Sequence, residues 1–333
     1  MPRRTLVLLA GVGALSVLHA RSRGRDDRHR ARIAALDPDA DHREIAHTLS
    51  AYEFPWDTET ALSLALFRTF AVPTISRILL DSRAFTDDTR KRYDDTELLL
   101  AEVEEHGYDG DRGREALRRI NRMHAAYPIR PIDLTYVLST FVAEPRYWIE
   151  RYGWREVTEA EHAAGWRYWR ELAARMGVPG MPEDLDTFLA WNREFERAEF
   201  RYDPANHEVA DATMTMYLSE IYGVPAPLLP AARQAALALL EPELVAALGY
   251  DEPPAWVRTA VHGALRARAH LLRWLVPPRT RPYRITEVSR PTYPFGYRIA
   301  DLGTFPDADE AAKAGSRDGV LPSDMPAAVG FPT

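Results

Sequence analysis

DRGREALRRINRMHAAY, residues 111–127, is the stretch from which the fold can be read. On a helical wheel Leu117, Ile120, His124 and Tyr127 share one stripe at offsets of three and four residues. Arg118, Arg119 and Arg122 fall on the other side. The period is that of an amphipathic helix, and it turns one imidazole toward the interior. An inward imidazole without a partner is costly. On the residues alone two readings stay open: a core histidine bonded to a carbonyl or side chain, or a histidine that binds something.

Helical periodicity continues on both sides of this segment. ETALSLALFRTFAVPTISRILL (59–80) is a long apolar run in which Pro73 should kink or restart the helix. DDTELLLAEVEEHG ends at Gly107, a C-cap, and Asp111 is a candidate N-cap for the next helix. PIDLTYVLSTFVAEPRYWIERYG is largely apolar and reads as buried. Thr158-x-x-Glu161 forms a capping box for a helix that closes at Gly177. Further helices follow within 182–216, then two Ala- and Leu-rich ones near 230–248 and 254–275. Strand patterns are almost absent, so the expected fold is all-α. Linkers are short, which favours one domain over 31–304, followed by an irregular or disordered tail at 305–333, or a covering strap.

Composition narrows the chemistry. The 333 residues contain no cysteine, which excludes disulfides, thiolate-bound zinc or haem, iron–sulfur clusters and cysteine nucleophiles. Lys91 and Lys313 are the only lysines, and no GxGxxG, GxxxxGK[ST] or GxSxG stretch occurs. The formal charge is −7, yet residues 1–30 carry seven arginines against Asp26 and Asp27, which leaves −12 for the rest. An acidic body argues against a nucleic-acid partner.

The amino terminus, MPRRTLVLLAGVGALSVLHARSRGR, places an apolar run between basic blocks. Leu6 to Ala20 would span about 22 Å as a helix at ~1.5 Å per residue, short of the ~30 Å hydrocarbon core. Flanking arginines can anchor such a segment, so residues 1–30 are expected to attach the chain to a membrane. The larger positive charge after the run favours a cytoplasmic body. Export through a twin-arginine-like signal at Arg3-Arg4 is the alternative, and a buried amino-terminal helix is a further one.

Two constellations could hold iron. In the first, His124 is the only protein ligand of a haem. Upstream, KRYDDTELLL (91–100) sets Arg92, Asp95 and Thr96 at i, i+3 and i+4, one helix face, where a guanidinium, a carboxylate and a hydroxyl could line the far side of a cofactor. The plainer account is that Asp94, Asp95 or Thr96 starts the helix as a cap. In the second constellation, Glu44-x-x-His47 and Glu159-x-x-His162 match the spacing of carboxylate-bridged di-iron proteins, with Glu102, Glu144 or Glu199 as further donors. Four-residue patterns of common residues arise easily by chance, and Glu159 is equally explained as favourable charge near a helix start.

Five stretches together carry a resemblance: FRTFAVPTISRIL (67–79), KRYDDTELLL (91–100), RGREALRRINRMH (112–124), DLTYVLSTFVAEPRYWIERYGWR (133–155) and YPFGYRIADLG (293–303). Their order and sequence resemble the family of the mycophenolic-acid-pathway oxygenase MpaB and, more distantly, the bacterial latex-clearing rubber oxygenases. The resemblance implies a globin-like, all-α haem b protein that uses O₂ to cleave C=C bonds in apolar isoprenoid chains. It implies that His124 is the proximal iron ligand and that Arg92 and Thr96 lie on the distal side. Asp95 stands where the rubber oxygenases have lysine. Asp95 would orient Arg92 or relay protons, and Asn121 would fix the ring or the haem edge. A haem-binding sensor or carrier without turnover is the alternative outside enzymology.

Overall fold

The structure, a computed structural model, describes residues 29–305. The expected membrane segment and nearly all of the tail lie outside the described residues. Among those residues the protein is helical with no strand, apart from one isolated bridge between Arg290 and Tyr293. The all-α expectation holds.

Beyond a short helix at 29–34, the helices are α1 (His42–Thr48), α2 (Pro55–Phe70), α3 (Pro73–Asp81), α4 (Ala84–Asp87), α5 (Thr89–His106), α6 (Asp111–Ala125) and α7 (Pro131–Tyr152). They continue as α8 (Glu159–Met176), α9 (Leu185–Glu199), α10 (Pro204–Met216), α11 (Leu229–Leu237), α12 (Pro242–Ala247) and α13 (Ala255–Leu275). Pro73 restarts the chain after Phe70, and α2 and α3 meet at 96°. The capping box is realised: Thr158 N–H donates to Glu161 at 2.7 Å and Glu161 N–H to the Thr158 hydroxyl at 3.3 Å. Three boundaries differ from the sequence reading, the smallest at α6, where Gly110 is the N-cap and Asp111 already lies in the helix. Helix α5 begins at Thr89, capped by Asp88, whose carboxylate accepts the Lys91 N–H at 3.1 Å. Asp94, Asp95 and Thr96 therefore lie inside the helix and do not start it. The Ala/Leu-rich segment near 230–248 is two helices, because Pro242 restarts the chain after a turn.

The described residues gather into two compact units. The first takes the described parts of Met1–Ala61, Pro145–Tyr168 and Ala260–Tyr283. Ile33, Ile45 and Ala164 form its apolar centre. Beside them Arg155, almost fully buried, bridges Glu53 at 2.9 Å and Glu161 at 2.7 Å, so three interior charges satisfy one another.

The second unit takes Leu62–Glu144, Trp169–Thr259 and the described part of Arg284–Thr333. Phe67, Phe70, Phe85, Tyr93 and Tyr217 anchor its large core, and Leu134, Leu138, Ala173 and Val178 form a second cluster. Helices α5 and α6 pack against each other across the short turn at Gly107, whose φ of 74° ends α5. At Gly113 a β-carbon would collide with the Gly107 carbonyl, so only glycine lets the start of α6 come this close. Gly→Ala in a helix interior is usually stabilising by up to ~1 kcal/mol. At Gly113 the sign should reverse: Gly113→Ala should destabilise the protein by about 1–3 kcal/mol through overpacking, read as a lower Tm in thermal unfolding. An unchanged or higher Tm would contradict this packing.

Candidate functional site

One cavity of about 210 Å³ lies in the second unit, and its wall is mostly apolar. Leu66 and Thr69 of α2, Ile75, Ile78 and Leu79 of α3, and Val137, Leu138 and Phe141 of α7 contribute to it. These are the two apolar runs read from the sequence. The His124 stripe reaches the same cavity: Ile120, His124 and Tyr127 line it. So do Arg92 and Thr96 from α5, and the structure thus brings three of the five expected site residues together.

His124 sits in the last turn of α6. No protein group hydrogen-bonds its ring among the described residues. Burial, and then the nearby Arg92 charge, push its pKa down from 6.5 to about 4. The imidazole is therefore neutral at physiological pH, the form that ligates metals. Most inward histidines are tied to a carbonyl, as His207 is to Leu248 O at 2.9 Å. His124 has no such tie.

Arg92 is the unusual cation of the wall. It hydrogen-bonds the Thr96 hydroxyl, and its guanidinium lies 5.0 Å from the centre of the Phe85 ring. No carboxylate is within ion-pair distance of it among the described residues. Burial lowers its pKa, with partial compensation from Asp95 and Tyr127. Thr96 in turn donates to the Arg92 carbonyl at 3.0 Å, so the pair is fixed to one turn of α5.

Asp95 and Asn121 are placed elsewhere. Asp95 is absent from the cavity wall and fully buried. Its carboxylate accepts from Lys91 Nζ at 2.6 Å, Gly303 N–H at 2.9 Å and the Tyr293 hydroxyl. It holds the 284–305 segment to α5 and makes no hydrogen bond to Arg92. Asn121 is likewise off the wall; its amide donates to the Arg175 carbonyl at 3.0 Å, which joins α6 to the end of α8.

Two wall residues were missed by the sequence reading. Asp133, in the first turn of α7, accepts from Arg130 at 2.6 and 2.8 Å and from Thr74 at 3.0 Å. In sequence it is indistinguishable from an ordinary acid at a helix start. Thr304 closes part of the wall from the strap formed by residues 284–305, next to Gly303 (φ 84°), which packs so tightly on Met123 that a β-carbon would collide with it. The di-iron pattern finds no support: no group of three or more His, Cys, Asp or Glu side chains is positioned for a metal among the described residues. Glu44 instead pairs with Arg32 at 2.8 Å.

The lowered pKa of His124 has a thermodynamic consequence. Between pH 6.5 and about 4 the unfolded chain binds a proton at this residue that the folded chain does not. Stability from this group is thus full above pH 6.5 and falls as the pH drops toward 4. The His124 ring resonances should show no titration between pH 8 and pH 5.5, and His124→Leu should flatten this part of the stability–pH curve. A midpoint near the ordinary value would overturn the assignment.

Residues 58–274 match the family described as "ER-bound oxygenase mpaB/B'/Rubber oxygenase, catalytic domain". The chain is 29% identical to ER-bound oxygenase mpaB' of Penicillium brevicompactum over 266 residues, covering 74% of this chain and 62% of that one. It is 30% identical to ER-bound oxygenase mpaB of the same organism over 201 residues, 55% of this chain and 51% of that one. A third relative, ER-bound oxygenase mpaB of Penicillium roqueforti, is 28% identical over 230 residues, 63% of this chain and 75% of its own. The chain thus spans between half and two thirds of the length of the first two relatives. With the match running through every helix that lines the cavity, the chain belongs to the mpaB/rubber oxygenase catalytic-domain family.

Proposed function

We propose that this protein is a haem b-dependent oxygenase that cleaves a C=C bond of an apolar, isoprenoid-like substrate with O₂. The observation that carries the proposal is the unbonded, neutral imidazole of His124 on the wall of an apolar cavity. An imidazole that lines a cavity and has no protein hydrogen-bond partner is free to take one from a bound group, and a neutral imidazole suits iron. When bound, haem supplies the activation of O₂. At about 210 Å³ the cavity is below the ~300–1,000 Å³ of usual ligand pockets, so loading a macrocycle requires part of the wall to open.

The residues divide the work by their electrostatics. Arg92 has no carboxylate partner, so its guanidinium is available to a reactant that gains negative charge, and the apolar surroundings strengthen that interaction. Thr96 holds the guanidinium in place. Asp133 differs from Arg92 in that its charge is already matched by Arg130, with a further hydrogen bond from Thr74. The apolar faces of α2, α3 and α7 receive the hydrocarbon and exclude water. The relatives' names include "ER-bound", which supports membrane attachment through residues 1–30, near lipid-dissolved substrate.

The test is an absorption spectrum of protein produced with adequate haem, followed by product analysis. Wild type should show a Soret band that His124→Ala loses or shifts. With an isoprenoid alkene it should consume O₂ and release carbonyl products. Arg92→Leu should keep the haem and lose about 10²-fold in turnover. A Soret band without products under any isoprenoid would favour a sensor or carrier. Bound iron without a Soret band would defeat the haem proposal.

A further inference from the structure

From Ala260 to Tyr283 the chain has five arginines, two histidines and no aspartate or glutamate, in a protein whose formal charge is −7. Most of this run is the greater part of α13, and it belongs to the first unit. Along the helix Ala260, Gly263, Ala264, Ala267, Leu271 and Trp274 follow one another at helical spacing, and every one of them is exposed. Leu271 is 55% exposed and Trp274 is 42% exposed. Only Val257 is buried in the whole of α13. Arg266 and Arg273, seven residues apart, stand beside this stripe, and Arg279 and Arg281 continue the positive charge past Pro277 and Pro278. All four are exposed, and none pairs with a carboxylate among the described residues. Arg268 alone is committed inward, to Asp57 at 2.9 Å and over the Trp56 ring at 3.8 Å.

We infer that this face of α13, with the 277–283 run, lies on an anionic lipid surface. An exposed apolar stripe ending in tryptophan and flanked by arginines is the pattern of a helix that rests in the plane of the lipid–water boundary. As a single helix α13 is not long and apolar enough to cross a membrane. Charge selects the occupant. The chain's own apolar amino-terminal stretch comes with seven arginines against two aspartates within residues 1–30, so it would bring like charge to the arginines of this face. A bilayer rich in anionic headgroups brings the opposite charge, and each exposed arginine then contributes about fivefold to binding.

The absence of cysteine makes the test clean. Leu271→Cys in the full chain, labelled with an environment-sensitive fluorophore, is mixed with phosphatidylcholine vesicles or with mixed phosphatidylcholine–phosphatidylserine vesicles. A blue shift is expected with the anionic vesicles, weakened by raised salt. Combining it with Arg266→Gln, Arg273→Gln, Arg279→Gln and Arg281→Gln should weaken the response by about two to three orders of magnitude. These exposed positions leave the core intact, which circular dichroism confirms for each variant. Protein that co-sediments with anionic vesicles while the probe stays unshifted would overturn the inference, because attachment would then run through another segment. A shift that grows with protein concentration without vesicles would assign the face to a second copy and overturn it too. A shift equal on neutral vesicles and indifferent to the arginine substitutions would refute the anionic surface.

Discussion

Helix α5 buries carboxylates that it cannot satisfy alone, and the second unit is arranged around them. Asp94, Asp95 and Glu102 are all fully buried. Local arginines and lysine meet part of the demand, with Arg90 on Asp94 at 2.9 Å and Lys91 on Asp95 at 2.6 Å. The rest comes from Arg112 of α6, which donates to Glu102 at 2.8 Å, and from the strap of residues 284–305. Arg290 donates to Asp94 at 2.6 Å and also pairs with Glu97, and Thr292 adds a bond to Asp94 at 2.7 Å. Tyr293 and Gly303 hold Asp95, and Tyr297 holds Glu102 at 2.6 Å. A buried charge that loses its partner costs about 3–5 kcal/mol, so α5 and residues 290–303 stand or fall together. Because α5 also carries Arg92 and Thr96, the cavity depends on a strap whose side chains, apart from Thr304, face other work.

The same bonds set the electrostatics of the cavity. Every hydrogen bond that Asp95 takes from Lys91, Tyr293 and Gly303 is one that it does not take from Arg92. Arg92 is left as a cation without an ion pair, and its field adds to burial in keeping His124 neutral. Saturated carboxylates elsewhere on α5 thus leave a guanidinium without an ion pair on the wall of the same apolar cavity as an unbonded imidazole. That asymmetry distinguishes a site from a core.

Local features of this arrangement were legible in the sequence because they repeat with the helix. The Leu117–Ile120–His124–Tyr127 stripe, the restart at Pro73 and the Thr158–Glu161 box each rest on residues within about three turns of one another. Arg92 and Thr96 also came together as read, since four residues advance about 40° beyond a full turn. Asp95 did not, because three residues fall about 60° short of a turn, and a nearby demand decided which way it faced. That demand comes from partners 198 and 208 residues away, which no local period records. Asp133 stayed hidden for a related reason: a first-turn acid is common, and only the fold aims it into a cavity.

Charge is also segregated at the scale of the whole chain, and this bears on how it meets apolar matter. Residues beyond 30 sum to −12, yet the run from 260 to 283 holds no acid. Such a run is expensive to keep on a protein that needs only solubility, since mixed charges serve that better. Within α13 Leu271 and Trp274 face solvent, while inward contacts are made by Val257, by half-buried leucines and by Arg268, whose charge is matched by Asp57. Folding alone does not reward an outward Leu271 and Trp274 beside unpaired arginines. A surface that takes both apolar side chains and positive charge does, and among common partners an anionic lipid boundary offers the two together.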